Sequence, residues 1–232
     1  MTSPQDQDKD AVRAYFEAEA RRFDAIYDGA NRSALQALVD AAFRTRMLRR
    51  RNEAIASLVK EGADCFEIGC GSGRTAIAIA ALRQARVEGI DMAAPMIEIA
   101  RTQAAGAGVS GLCDFQVGEF GDWRPAHRYD TFVAVGVLDY FADPLPMLRR
   151  AVSDFLVPGG AIVLSWSEKR MILNLARRAW LQGTKGCPVH FYGSKDMDAI
   201  AEALGGRIVM QVQSGLAPLI LDGMARIELA PR

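Results

Sequence analysis

Short apolar runs rich in Val, Ile and Phe alternate along most of the chain with longer stretches whose apolar positions recur at helical spacing. The runs predict seven strands, over 64–68, 86–91, 112–117, 129–135, 160–166, 207–213 and 223–229. Helices are predicted between them, over 73–84, 95–106, 143–156 and 194–204. Pro95 suits the first turn of its helix, where its missing N–H costs nothing, and Pro158-Gly159-Gly160 reads as a tight turn into the fifth strand. Strict alternation of strand and helix predicts an α/β fold: a doubly wound, mostly parallel sheet covered on both faces.

Two segments fall outside the alternation. The first, from Asp8 to about Lys60, reads as two helices broken near Gly29-Ala30-Asn31, the second with Leu35, Leu38, Val39, Ala42 and Phe43 on one face. The second, 169–192, interrupts the path from the fifth strand to the next helix and contains Gly183, Gly186 and Pro188. We therefore expect residues 1–60 to form a helical cap belonging to the same domain as a 61–232 core, with a further cap insertion near 169–192. Insertions of this kind converge on the carboxyl ends of the strands, where open α/β sheets bind ligands.

Composition narrows the classes. A chain of 232 residues, 50% hydrophobic, can bury one substantial core but hardly two independent ones. Lys plus Arg and Asp plus Glu are 28 each, so the chain lacks the basic excess of a nucleic-acid binder. Cys65, Cys70, Cys113 and Cys187 form no C-x-x-C pair and read as reduced core thiols, with no metal site. The first ten residues are polar and acidic and no apolar run reaches spanning length, so a soluble, unexported, cytoplasmic protein with no membrane partner is expected. The cluster Arg44, Arg46, Arg49, Arg50 and Arg51 reads as a solvated helix face with acidic neighbours, although one of these arginines could reach a ligand carboxylate.

Candidate chemistry concentrates in Cys65-Phe66-Glu67-Ile68-Gly69-Cys70-Gly71-Ser72-Gly73-Arg74-Thr75, a buried strand that breaks into a glycine turn and re-forms as a helix. Glycines let the chain turn sharply with its amides facing a small molecule. Asp91 ends the second strand, where a doubly wound sheet holds the hydroxyls of a ribose. The dinucleotide fingerprint G-x-G-x-x-G fits Gly69 and Gly71 but meets Arg74 at its third glycine. A phosphate-binding P-loop would need glycine at Ile68 and lysine at Arg74. The pattern that remains, E-x-G-x-G-x-G, places the Glu67 carboxylate where it would repel a pyrophosphate and suit a ligand carrying an ammonium and a sulfonium.

This pattern resembles the first motif of the class I S-adenosylmethionine-dependent methyltransferases of the bacterial small-molecule type, with Glu67, Gly69, Gly71 and Gly73 in the motif's positions. The resemblance implies a Rossmann-like seven-stranded sheet whose last strand runs antiparallel. It implies S-adenosylmethionine as methyl donor and S-adenosylhomocysteine as product, with Cys70 and Met92 beside the cofactor as well. Phe115-Gln116-Val117-Gly118-Glu119-Phe120 is similar to the third-strand segment in which an acid binds the adenine amine and the next residue flanks the ring, which implies those roles for Glu119 and Phe120. The fourth-strand segment Asp130 to Tyr140 looks like the one whose backbone passes under the sulfonium, and Gly136 is carried over from it. Tyr15-Phe16-Glu17 followed by Arg22 to Tyr27 resembles the family's N-terminal signature over the methionine end, implying contact through Tyr15; as pure pattern these aromatics also suit a core. The same stretch has a likeness to magnesium-protoporphyrin methyltransferases, too short to assign a tetrapyrrole.

Gly136-Val137-Leu138-Asp139 lacks the paired prolines with which DNA amino-methyltransferases bind a flipped-out base, so a small-molecule acceptor is expected. O-methylation is the first reading and N-methylation the next. Methyl transfer asks mainly for alignment and exclusion of water, with a general base where the acceptor is a hydroxyl. Candidates for base or acceptor pocket are His190, Tyr192, Asp139 and Tyr140, while His127, in a loop beside Arg128, reads as surface. Two rival readings share the sheet: an NAD-dependent oxidoreductase, and a non-catalytic relative serving as a partner subunit with its pocket plugged by a residue such as Trp166 or Trp180. Whether the chain is a monomer or a homodimer is not legible.

Overall fold

Parallel strands linked by helices build the sheet, and each link follows from local sequence. In the computed structural model, residues 48–168, 189–216 and 219–231 are described. Tyr15, the helices expected before residue 48, the arginines Arg44 and Arg46, Trp180, Cys187 and residues 169–188 of the expected 169–192 insertion lie outside them. Helix α1 is described over 48–57. It is followed by β1 (Asp64–Ile68), α2 (Arg74–Arg83), β2 (Arg86–Asp91), α3 (Ala94–Gly106), β3 (Cys113–Val117) and β4 (Tyr129–Ala134). Then come α4 (Leu145–Arg150), β5 (Leu156–Ser167), α5 (Ser194–Ala203), β6 (Gly206–Leu216) and β7 (Leu219–Leu229). The seven strands lie in the order β3-β2-β1-β4-β5-β7-β6. β1 to β5 pair in parallel, and β7 runs antiparallel to both β5 and β6. This is the Rossmann-like class I methyltransferase architecture expected from the sequence.

The helices bury narrow faces. α3 packs Met96, Ile97, Ala100 and Ala104 against the sheet, with a proline in its first turn. α5 buries Met197, Ile200 and Ala201, and the Gly193 N–H at its start donates to Asp196 Oδ2 at 2.7 Å. One face of the sheet carries an aromatic cluster in which the Phe66 ring lies 5.2 Å from Tyr129 and 4.7 Å from Phe155. The other face packs Ile55, Leu58, Ile79, Ile97 and Phe115.

β6 and β7 run longer than expected, over Gly206–Leu216 and Leu219–Leu229, and two further elements differ in form. The predicted helix 143–156 stops at Arg150 and continues as a single π-helical turn, Ala151–Phe155, closed by the Leu156 N–H on the Ala151 carbonyl. β5 begins at Leu156, before the proline and glycines, which fall inside an irregularity where the β4–β5 register shifts between Tyr129 and Thr131. Gly159 has φ +74, so a side chain there would be strained. Among the described residues, no helix is long and apolar enough to cross a membrane.

Candidate functional site

The strand order reverses direction between β1 and β4, and the glycine turn leaves β1 at that switch point. Gly69, Gly71 and Gly73 all have positive φ, at +59, +52 and +77. Their surroundings differ. A Cβ on Gly69 would lie 2.8 Å from Val137 Cγ2, and one on Gly73 2.8 Å from Phe115 Cζ, whereas a Cβ on Gly71 would meet nothing within 4 Å. Gly73 is thus a packing glycine that seats α2, and Gly71 borders open space.

Asp91 ties this turn to the second strand. Its Oδ2 accepts the Gly71 N–H at 2.9 Å and its Oδ1 the Ala93 N–H at 2.8 Å. Burial raises the Asp91 carboxyl, and these two amides oppose the rise. The Asp91 carbonyl in turn accepts the Gly118 N–H at 3.0 Å, so the loops after β1, β2 and β3 form one connected edge. Met92 sits half-buried beside it, and the Cys70 N–H donates to the Ile90 carbonyl at 3.0 Å. Gly89, inside β2, lets Cys70 and Phe115 close over it: a Cβ there would be 3.0 Å from each.

Glu67 is 1% exposed, and among the described residues its Oε2 has no hydrogen-bond partner. Desolvation pushes its pKa up to about 8 and the nearby Asp91 charge adds to the rise, while the Ala76 amide and the Arg51 guanidinium work against it. Arg51 reaches this region from α1, with Nε 3.3 Å from Asp222 Oδ2 and Nη2 donating to Ser165 Oγ at 3.4 Å. Ser165 Oγ also accepts the Gly136 N–H at 2.9 Å, and Gly136 has φ +73 with nothing within 4 Å of a built Cβ. Of the other described arginines in the cluster, Arg50 is exposed and Arg49 pairs with Glu53 at 2.8 Å, both exposed.

The third-strand residues are placed less simply. Glu119 is half-buried at the start of the loop, and its carbonyl accepts the Asp122 and Trp123 amides. The Phe120 ring lies among core aromatics, 5.6 Å from Phe132 and 5.0 Å from Phe155. Gly118 leaves room for Trp123, whose ring would stand 2.6 Å from a Cβ there.

The acceptor-side candidates converge across β4, β5 and the segment before α5. Asp139 is 5% exposed; its Oδ1 accepts the Ser167 N–H at 3.0 Å and its Oδ2 the Ser167 hydroxyl. The Asp139 carbonyl accepts the His190 N–H at 2.6 Å. Tyr192 donates its hydroxyl to the Phe141 carbonyl, and burial with the Asp139 charge pushes its phenol up to about 12. Tyr140 is half-buried in the short turn Leu138–Tyr140. His127 lies exposed, with Nε2 2.7 Å from Asp64 Oδ2 at the opening of β1, away from the glycine turn. Trp166 packs within the core over Gly223 of β7. Ser165, Arg51 and Trp123 carry no motif and were not singled out individually for these contacts by the sequence.

Residues 66–160 match the family described as Methyltransferase domain. Among curated proteins, a ubiquinone biosynthesis O-methyltransferase of Serratia proteamaculans is 29% identical over 52% of this chain and 47% of its own length. A ribosomal protein L11 methyltransferase of Dechloromonas aromatica is 35% identical over 46% of this chain and 33% of its own. The match thus spans less than half the length of either relative. Among solved structures, magnesium protoporphyrin IX methyltransferase from Synechocystis with bound SAH superposes with a TM-score of 0.74, at 19% identity, over 96% of this chain and 100% of that one. The N-methyltransferase NodS of Bradyrhizobium japonicum gives 0.58 at 19% identity, over 80% and 97% of the respective chains. Strand order, glycine turn and family match agree on a methyltransferase domain of the class I S-adenosylmethionine-dependent fold over residues 66–160.

Proposed function

We propose that the protein transfers a methyl group from S-adenosylmethionine to a small-molecule acceptor, at oxygen in the first reading and at nitrogen in the second. The observation that carries this is the Glu67 carboxylate, buried with one oxygen unpartnered among the described residues, beside a backbone cradle of positive-φ glycines. A buried, half-satisfied acid is costly on its own and suits a cationic ligand group. Glu67 would take the ammonium of the methionine part, the Gly69–Gly73 turn with Cys70 its backbone, and Gly136 the space below the sulfur. Asp91, with Met92 next to it, would take the ribose, and Glu119 the adenine amine. The bound cofactor supplies a methyl group on a cationic sulfur that departs as a neutral thioether.

The chain's own task is then to align the acceptor and, for a hydroxyl, to receive its proton. Tyr192 keeps its proton well above neutrality and already donates it to a carbonyl, so it serves as a wall of the acceptor pocket with Tyr140. Asp139 is engaged by Ser167 through both oxygens. Of the four candidates, His190 carries the basic ring nitrogen and is the base we assign. The O-methyltransferase among the relatives and the tetrapyrrole enzyme among the structures support a small-molecule acceptor.

Calorimetry with S-adenosylhomocysteine, with NAD and ATP as controls, tests the cofactor. Micromolar binding to the first alone, about −8 kcal/mol, is expected. Binding of NAD instead would overturn the reading. Asp91→Ala is expected to weaken S-adenosylhomocysteine binding at least about tenfold, since it removes a charged hydrogen-bond acceptor for the ribose and releases the Gly71 amide. Unchanged affinity would remove Asp91 from the ribose site.

A further inference from the structure

Arg150 lies at the end of α4, far along the chain from the glycine turn and from Glu119. Its guanidinium nonetheless holds the loop that follows β3. Nη1 donates to the Phe120 carbonyl and Nη2 to the Trp123 carbonyl, two acceptors on one short turn. The same group lies over the Phe120 ring, 4.7 Å from its centroid, and 5.4 Å from that of Phe155. Nε is 3.4 Å from Asp154 Oδ2, which orients the fork from behind.

The π-helical turn makes this geometry available. In an α-helix, residues five apart point to different sides; the wider turn over Ala151–Phe155 brings Phe155 round toward the face that Arg150 occupies. Phe155 then supports Phe120 from below, at 5.0 Å, while Arg150 closes over it. The opposite wall of the loop is Trp123 against Gly118. Glu119 sits between these fixed points, directly before the residue whose carbonyl Arg150 holds.

We propose that Arg150 is a positioning residue for nucleobase recognition: it fixes the 118–124 loop so that Glu119 meets the exocyclic amine of the cofactor's purine. The proposal rests on the cofactor reading above. A lysine could keep the charge over the rings but cannot hold two diverging carbonyls in one plane.

The test compares S-adenosylhomocysteine with S-inosylhomocysteine, in which an oxygen replaces the purine amine, by calorimetry on wild type, Arg150→Met and Arg150→Lys. Wild type is expected to prefer the adenine compound, and both variants to lose about tenfold of that preference. A merely structural arginine would lower thermal stability and leave the ratio of the two affinities unchanged, which would overturn the proposal. Should Arg150→Met fail to fold, Arg150→Lys carries the same comparison, with amide hydrogen exchange over 119–124 expected to quicken; protection equal to wild type with an unchanged ratio would sink the idea. If wild type bound neither compound, the cofactor reading itself would fall. If it bound both with the preference intact in the variants, only the role of Arg150 would.

Discussion

Glu67→Gln is expected to make the ligand-free protein more stable at pH 9 and its complex with S-adenosylhomocysteine weaker. The folded carboxyl keeps its proton up to about pH 8, because burial penalises its charge. The unfolded chain releases that proton in the ordinary carboxylate range. Between those limits the folded state binds more protons than the unfolded one, so the stability from this group is present at low pH and is lost as pH rises toward 8. Glutamine has nothing to ionise. At pH 9 the variant should therefore gain on the order of 2–3 kcal/mol over wild type, several degrees in Tm for a chain of this size. Binding should move the other way. A ligand ammonium favours the ionised acid, so wild-type affinity should rise from pH 6 to pH 8 with release of a proton, and Glu67→Gln should lose about ten- to a hundredfold at pH 8 with a flat profile. Thermal melts and calorimetry in buffers of different ionisation enthalpy read both effects. A variant less stable at pH 9 and unchanged in affinity would take Glu67 out of the site.

Gly71→Ala and Gly73→Ala should separate binding from folding within one turn. Both positions have positive φ, so alanine costs about 1–2 kcal/mol at either. At Gly73 the new methyl would also stand 2.8 Å from Phe115 Cζ and 2.9 Å from Ala100 Cβ, both in a packed core. Overpacking of that kind adds about 1–3 kcal/mol, so Gly73→Ala should lower Tm by roughly 10 °C. At Gly71 the methyl enters open space and stability should change little beyond the backbone cost. That space is the one assigned to the ligand, and S-adenosylhomocysteine affinity should fall at least about tenfold. Equal melting temperatures for the two variants would mean that the core around Phe115 yields more easily than its contacts suggest.

Strand and helix positions were largely legible because each depends on local alternation: β1 and β2 fall where the apolar runs place them, and α3 begins one residue before its proline. The π turn after Arg150 was not, since 143–156 reads as one continuous helix and the wider turn is drawn out by the aromatic cluster that Phe155 joins. The glycine turn announced itself by composition. Its supports did not, because Ser165 under Gly136, Arg51 near Glu67 and Arg150 over Phe120 come from far along the chain and carry no spacing signal. Gly118 shows the same limit: nothing in its spacing marks the Trp123 ring that presses against it, which only the fold brings there.

The sheet order has a consequence for how the chain acquires its structure. β7, the last of the seven strands along the sequence, lies inside the sheet between β5 and β6, and among the described residues β6 pairs with no other strand. During synthesis the units around β1 to β3 can assemble early from crossovers between neighbouring strands, while β6 must wait, its edge unpaired, until the strand made after it arrives. The ligand half of the molecule therefore has the means to form ahead of the half that closes the sheet, and the interval between the two is when a nascent chain most needs protection from wrong strand pairing.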